Sequence, residues 1–486
     1  MKAPSIKANA IFNIFRKLMT MLFPLITFPY ASRILLPEGI GKVAFSRSFI
    51  DYFMIIATLG ISTYGTRETA KVRDDRVLLS KVSREILTIN MVSTAVAYLL
   101  LFVAMLSISK LAEYRALLVV ISAKILFTSL GLGWLYGGME DYKYITIRAF
   151  IFQIISVILL FTLVHKPEDY LLYASIAVIS NVGSNICNWI HSKKYIDLFI
   201  HIELELKKHL KPIFVLFAMG EFAKIYAVLD VTMLGFLCGN WEVGIYTAAT
   251  KINRIIVQLV ISIGYVVLPR LAYYINKSDE KKFQELVYKN FDVFFLLAIP
   301  SAIGLSLVGN AAILAFSGEK FIASVPIMRI MNPIIVITGI GSVIGTQTFV
   351  PMGKEKLVLY GLIIGAISNI ILNFILIPRY QVWGAAIATL CSEGIFSGIE
   401  LYWGRDIVDL KKVARYFLLY LGNSLVMAVG VFLCIQVIPG LWTGTIVAVC
   451  VGIATYGILL FIEKNRFVMD FLKVFKRRID YEHRAD

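Results

Sequence analysis

Apolar segments of roughly 20 residues recur from one end of this chain to the other, each long enough to cross a hydrocarbon layer about 30 Å thick. No other feature narrows the possible folds as far. Backbone in lipid must satisfy its own hydrogen bonds, so only helices and closed barrels span a membrane. Barrel strands alternate polar and apolar residues with a period of two, and that alternation is absent. The chain therefore reads as an all-α polytopic membrane protein. Its 486 residues are 58% hydrophobic and 16% charged.

Spans are placed near 10–31, 42–64, 84–107, 115–137, 144–164, 170–190, 213–237, 243–268, 290–315, 323–349, 357–377, 382–403, 412–436 and 441–462, about fourteen in all. The net charge of +16 does not point to nucleic acid, because the charge sits in alternate loops. With the N-terminus inside, inner segments hold about 35 Lys and Arg and outer loops about seven, a bias that places both termini in the cytoplasm. The last 16 residues, FLKVFKRRIDYEHRAD, read as a basic juxtamembrane tail against anionic lipid. The first apolar run carries Arg16 and Lys17 and no small-x-small site follows it, so it is expected to be a retained helix.

Beyond those counted with the inner segments, Arg16 and Lys17 among them, and with the outer loops, six cations remain within the spans: Arg47, Lys124, Lys224, Lys251, Arg254 and Arg329. Charges at membrane depth are expensive and face a bundle interior or a wet cavity. The densest case lies within Leu229–Ser262. There Thr247, Lys251, Arg254, Gln258 and Ser262 are spaced four, three, four and four, which sets them on one helical face. The competing reading, snorkelling to the interface, asks these side chains to reach across two turns. Arg47 and Asp51 are four apart on the second span and share a face. The intramembrane acids are Asp51, Glu221, Asp230 and Glu393. Asp51 beside Arg47, and Glu221 beside Lys224, either cancel charge as ion pairs or bind and release H⁺ or Na⁺.

The sequence lacks a GxxxxGK[ST] phosphate loop, a cysteine–histidine metal spacing and a nucleophile triad, so no enzyme, metal or cofactor is expected. All five cysteines lie in or at the ends of apolar spans and read as packing residues. Trp134 and Tyr136 read as interfacial anchors or as sugar-stacking groups. Asn369 and Asn373, four apart, are expected to hydrogen-bond between helices.

Between spans six and seven, SKKYIDLFIHIELELKKHLKP mixes apolar and charged groups and suits a helix on the inner membrane surface. The organisation expected is an N-lobe over 1–191, a cytoplasmic amphipathic linker over 192–212, a C-lobe over 213–404, and two further helices with the basic tail over 405–486. The lobes repeat weakly. FPYASRILLPEGIGKVAFSRSFIDYF matches VTMLGFLCGNWEVGIYTAATKINRII with Gly41 opposite Gly244, and Gly138 falls opposite Gly353. An even number of spans separates the copies, which implies a parallel repeat about an axis along the membrane normal, with sites at the repeat interface. The match sets Arg47 beside Lys251 and Asp51 beside Arg254.

These stretches, with GYVVLPRLAYY, WLYGGMEDYKYI and the run from GTQTFVPMGKEKLVLYG to WGAAIATLCSE, carry a resemblance. In order and spacing the chain resembles the polysaccharide (O-antigen and capsule type) flippases of the multidrug/oligosaccharidyl-lipid/polysaccharide exporter superfamily. The resemblance implies two six-helix lobes rocking between inward- and outward-open states. It implies an undecaprenyl-pyrophosphate-linked oligosaccharide moved from the cytoplasmic to the periplasmic leaflet of the bacterial inner membrane. Basic cavity residues would receive the pyrophosphate: Arg47, Lys251 and Arg254, and on depth alone Lys124, Lys17 and Lys224. A coupling ion, H⁺ or Na⁺, would act at Asp51 or Glu221. A polysaccharide polymerase and glycosyltransferases would be its protein partners. Sugars would meet polar side chains and tyrosine faces such as Tyr30, Tyr52, Tyr136, Tyr226 and Tyr246. Three other readings stand beside it: a lipid II flippase, a multidrug or cation antiporter of the same superfamily, and a non-transporting scaffold for glycan assembly enzymes.

Overall fold

The structure is a computed structural model that describes residues 6–198, 203–220, 222–264, 267–465, 467 and 469. Side chains in the first helix are described at Phe12, Met19 and from Leu22 on; those of 218–224 and 263 lie outside the description. Among the described residues every predicted span is largely helical, and no strand occurs.

In chain order the helices are α1 (Ile6–Thr58), α2 (Ile61–Lys71), α3 (Arg76–Ser107), α4 (Arg115–Leu130), α5 (Gly133–Gly138), α6 (Tyr142–Leu163), α7 (Tyr170–Ser192), α8 (Lys207–Gly220) and α9 (Phe222–Leu237). There follow α10 (Asn240–Gly264), α11 (Leu268–Asn276), α12 (Glu280–Leu307), α13 (Gly309–Phe316), α14 (Ser324–Met331), α15 (Ile334–Ile344), α16 (Glu355–Trp403), α17 (Leu410–Val437) and α18 (Leu441–Ile462). Among the described residues, nine helical stretches are long and apolar enough to cross a membrane unaided. The sequence segments map onto these helices with two kinds of difference. Helix α1 contains the first predicted span and most of the second, which runs on into α2; the two are joined at Leu36, whose backbone leaves the helical region (φ 60°, ψ 173°). Leu36 precedes Pro37, and proline drives the preceding residue out of the helical conformation. Helix α16 joins the eleventh and twelfth in the same way at Gln381 (φ 49°, ψ −126°). Conversely, the fourth span is split by Leu132 (φ 46°) into α4 and α5.

The described residues fall into two compact units. One draws on Met1–Thr247, Phe316–Phe321 and Asn373–Ala385; the other on Ala248–Ala315, Ile322–Leu372 and Ala386–Asp486.

In the first unit α1 packs against α3, α4, α6 and α9, and α7 lies between α4 and α6. Helix α1 ends at Thr58, which frees its last carbonyls. The Ala57 carbonyl accepts from Asn90 Nδ2 at 2.7 Å and from Ser93 Oγ at 2.6 Å, both on α3. A satisfied break of this kind lets helices be interrupted inside an apolar bundle without stranded backbone groups. Trp134 and Tyr136 are neither interfacial anchors nor sugar platforms. They are 5% and 0% exposed, and Tyr136 donates to the Asn188 carbonyl while its ring stacks on Tyr144 and His191. Trp134 fills the space left by Gly65 on α2, where a Cβ would collide with the indole.

The second unit is centred on α12. Phe291, Phe294 and Phe295 are buried there, and Phe295 meets Phe417 of α17 edge-on. Tyr456 of α18 donates to the Leu296 carbonyl at 2.9 Å. Outward residues of α17 and α18 are apolar and open: Val437, Ile453 and Ile462 are 75%, 70% and 67% exposed. That is the surface a lipid-facing helix presents.

Candidate functional site

Helix α1 resumes after Leu36 and brings Arg47 and Asp51 onto one face, one turn apart. Lys124 stands mid-way along α4, which packs on α1. Its ammonium lies 3.3 Å from Asp51 Oδ1, and both side chains are about a quarter exposed (26% and 27%). The sequence pairs Asp51 with Arg47; in the structure its ion-pair partner is Lys124, from another helix. Arg47 is exposed and within electrostatic reach of both Lys124 and Tyr173 of α7. Two cations against one carboxylate leave this patch with net positive charge, in helices otherwise built for lipid.

The polar strip continues along α4 and α7. One turn beyond Lys124, Thr128 donates to Asn181 Oδ1 at 3.3 Å, and Asn185 donates to the same oxygen at 3.0 Å. All three are half-buried. Hydroxyls and amides beside a cation offer donors to phosphate or sugar oxygens.

A second polar cluster of the same unit is fully buried. Asp230 of α9 accepts from Tyr246 at 2.8 Å and from Asn373 Nδ2 at 2.7 Å. Thr232, two residues further along α9, shares a hydrogen bond of 2.7 Å with Ser48. Asn373 thus makes the interhelical bond its sequence position suggests, and Asn369 makes another, to Ser392 Oγ at 3.2 Å. Tyr246, 1% exposed, holds Asp230 and has no face open to a sugar.

Lys251 and Arg254 belong to the second unit's portion of α10. Lys251 is half-buried, and Arg254, Gln258 and Ser262 are exposed, while Ile252, Asn253 and Val260 are buried. The helix therefore has the polar and apolar faces its spacing demands. Asn253 fixes it by donating to the Met328 carbonyl of α14 at 3.5 Å.

Lys17 and Lys224 have side chains outside the described residues, as has Glu221 as a whole. The basic tail from 470 onward lies outside them too. Glu393 accepts from Thr338 at 3.1 Å. The sequence reading passed over Glu400, two turns further along α16, which the structure buries to 1% exposure. The available signal was its separation of seven from Glu393, which sets both acids on one face of an apolar helix.

The family profile described as "Polysaccharide biosynthesis protein" matches residues 6–275. A putative O-antigen transporter of Shigella dysenteriae is 25% identical over 76% of this chain and 93% of its own length. A putative O-antigen transporter of Escherichia coli (strain K12) is 22% identical over 83% of this chain and 97% of its own. Among solved structures, the lipid II flippase MurJ in an inward closed conformation superposes with a TM-score of 0.77 at 17% identity, covering 95% of this chain and 99% of that one.

Proposed function

The chain belongs to the polysaccharide biosynthesis protein family, and from that footing we propose that it is a flippase for lipid-linked glycan. In its finer form the proposal names undecaprenyl-pyrophosphate-linked oligosaccharide, carried by alternating access from the cytoplasmic to the outer leaflet of a bacterial inner membrane, with both chain termini cytoplasmic and with ion coupling. The observation that carries it is the Arg47–Lys124–Asp51 patch on α1 and α4, a net-positive polar strip at membrane depth. Its chemistry suits the cargo. A polyprenyl tail stays in lipid, whereas a pyrophosphate and its sugars need a wet, cationic route through it. Cations in a low-dielectric cleft attract the anion strongly, and several incomplete sites release it more readily than one tight site. Lys251 and Arg254 on α10 supply further positive charge to the same task, and Lys17 and Lys224 join them in the proposal. Polysaccharide polymerase and glycosyltransferases are the enzymes such a carrier would work beside.

The test is complementation of a flippase-deficient bacterium with wild type and with Arg47→Ala, Lys251→Ala and Arg254→Ala at matched protein level. Surface polysaccharide should return with wild type, and lipid-linked oligosaccharide should stay trapped on the cytoplasmic face with the variants. Wild type that instead relieves loss of a lipid II flippase moves the substrate to lipid II. Wild type that only lowers accumulation of a cationic dye moves it to an antiporter, although the cationic patch disfavours such cargo. Wild type that restores nothing, yet retains assembly enzymes in a pull-down, leaves the scaffold.

A further inference from the structure

Glu393, Ser397 and Glu400 follow one another at four and three residues on the second half of α16, so all three share a face. Glu400 is 1% exposed, and neither of its carboxyl oxygens has a hydrogen-bond partner. Ser397 Oγ, one turn back, is likewise buried and unpartnered. The carboxyl group is seated against the glycines of α15. A Cβ on Gly345 would collide with Oε1, and one on Gly341 would press on Oε2 and on Ser397 Oγ. On the other side, Gly361 of α16's first half lies close to Glu400 Cγ. The glycines leave a pocket the size of a carboxyl group, walled by backbone, and a titratable group in electrostatic reach is another acid, Glu393.

An ionised carboxylate in such a place is strongly disfavoured, because no donor replaces the water it has lost. A neighbouring acid raises that cost further. A neutral carboxyl, by contrast, fits without penalty of charge. The wall of the pocket is also the least regular part of α15: at Gly345 the helix widens into a π turn, Gly345–Phe349, the kind of irregularity that accompanies functional sites. Thr348 Oγ1 and Thr346 Oγ1 return hydrogen bonds to Val343 and Ser342 carbonyls within this turn.

We propose that Glu400 is a proton-binding site: its carboxyl group holds a proton while the glycine wall of α15 covers it, and gives the proton to water when that wall withdraws. The O–H bond breaks, the electron pair stays on the carboxylate, and the proton leaves as hydronium. This deepens the transport reading by naming the coupling ion as a proton and Glu400 as its carrier, and it rests on that reading for the coupling role alone.

The experiment is infrared spectroscopy of the full-length protein in lipid nanodiscs at neutral pH, without substrate. Wild type should show the C=O stretch of one protonated carboxyl that is missing from Glu400→Gln and present in Glu393→Gln. Gly345→Ala, which drives a methyl group at Oε1, should shift or abolish it. A spectrum identical in wild type and Glu400→Gln overturns the proposal, as does loss of the band in Glu393→Gln alone. Wild type labelled with ¹³C-glutamate gives the same answer without a variant: the band must shift with the label and fade as pH is raised, and its absence at neutral pH overturns the site. Because no glycan is present, failure here leaves the flippase reading standing, and failure of complementation leaves the spectrum as it is.

Discussion

Gly41 and Gly244 pack backbone against backbone where α1 crosses the start of α10. A Cβ on Gly41 would enter the Asn240 carbonyl, and a Cβ on Gly244 would enter the Pro37 carbonyl. The contact is reciprocal. Pro37 stands four residues before Gly41, as Asn240 stands four before Gly244, and the two pairs are the ones the internal repeat superposes. Two-fold axes produce such exchanged contacts. The crossing is reinforced by Asn240, which donates to Glu38 at 2.9 Å and accepts from Tyr114 at 2.7 Å.

Backbone atoms cannot swing aside as a flexible side chain would, so even alanine is too large at either glycine. Gly41→Ala and Gly244→Ala should each lower stability by about 1–3 kcal/mol, the usual cost of overpacking. Thermal unfolding of purified protein checks this. Gly133→Ala, where a Cβ meets open space, is the matched control and should leave the melting temperature close to wild type.

The first turn of α8 and the residues just before it are held down by a buried relay. His209 Nε2 lies 2.7 Å from Glu85 Oε2 of α3, and its Nδ1 lies 2.6 Å from the Tyr64 hydroxyl of α2. An ionised carboxylate only accepts, so Nε2 carries the hydrogen of that bond. Glu85 also takes the Glu205 N–H at 2.8 Å. His209→Ala should cost about 1–3 kcal/mol by stripping a buried acid of one of its donors. The measurement is limited proteolysis near 193–206, which should cut the variant faster than wild type.

Acid should loosen the same segment from its exposed side. Hydrogen bonds from Lys208 and Lys81 hold the Glu205 carboxyl below the usual carboxylate range, and Glu205 holds the Lys208 ammonium above its own. A carboxyl depressed by folding stabilises above its unfolded value and stops doing so as pH falls through its folded value. Cleavage near 193–206 should therefore stay low from neutral pH down to the ordinary carboxylate range and rise only below it. Glu205→Gln should remove that acid-dependent step.

How far the sequence could be read depended on whether a feature is local. The helical character of the spans and the polar face of α10 are written in neighbouring residues, and both appear in the structure. The break at Leu132 is not, because nothing but tertiary packing makes a leucine adopt φ 46°. Residues 193–198 and 203–205 were expected in a surface helix and are non-helical, because Ser80 and Glu85 take the backbone N–H groups of Asp197 and Glu205. Lys124 was legible by depth, but its partner was not, since Asp51 lies 73 residues away in sequence. Glu400 was missed for a related reason: an acid near a helix end reads as interfacial until the glycines that bury it are seen across from it.

The Lys124–Asp51 pair offers the sharpest separation of charge balance from ion coupling. If Asp51 serves only to offset Lys124, Asp51→Asn removes a negative charge from the patch and keeps its shape. The variant should then hold an anionic lipid headgroup more tightly, release it more slowly, and retain its dependence on ΔpH. Asn still offers an amide to its surroundings, and both groups keep about a quarter of their surface in contact with solvent, so the stability loss should be modest, about 1–2 kcal/mol. Lys124→Met should fall in the opposite direction, weakening headgroup binding and leaving Asp51 unpaired. In the double variant the two losses of stability should be less than additive, because the second change removes the charge the first one stranded. Transport into vesicles with and without an imposed ΔpH, together with thermal unfolding of all four proteins, reads every arm. Loss of ΔpH dependence in Asp51→Asn at normal headgroup binding would instead make Asp51 the coupling carboxylate and leave Lys124 as the group that sets when it ionises.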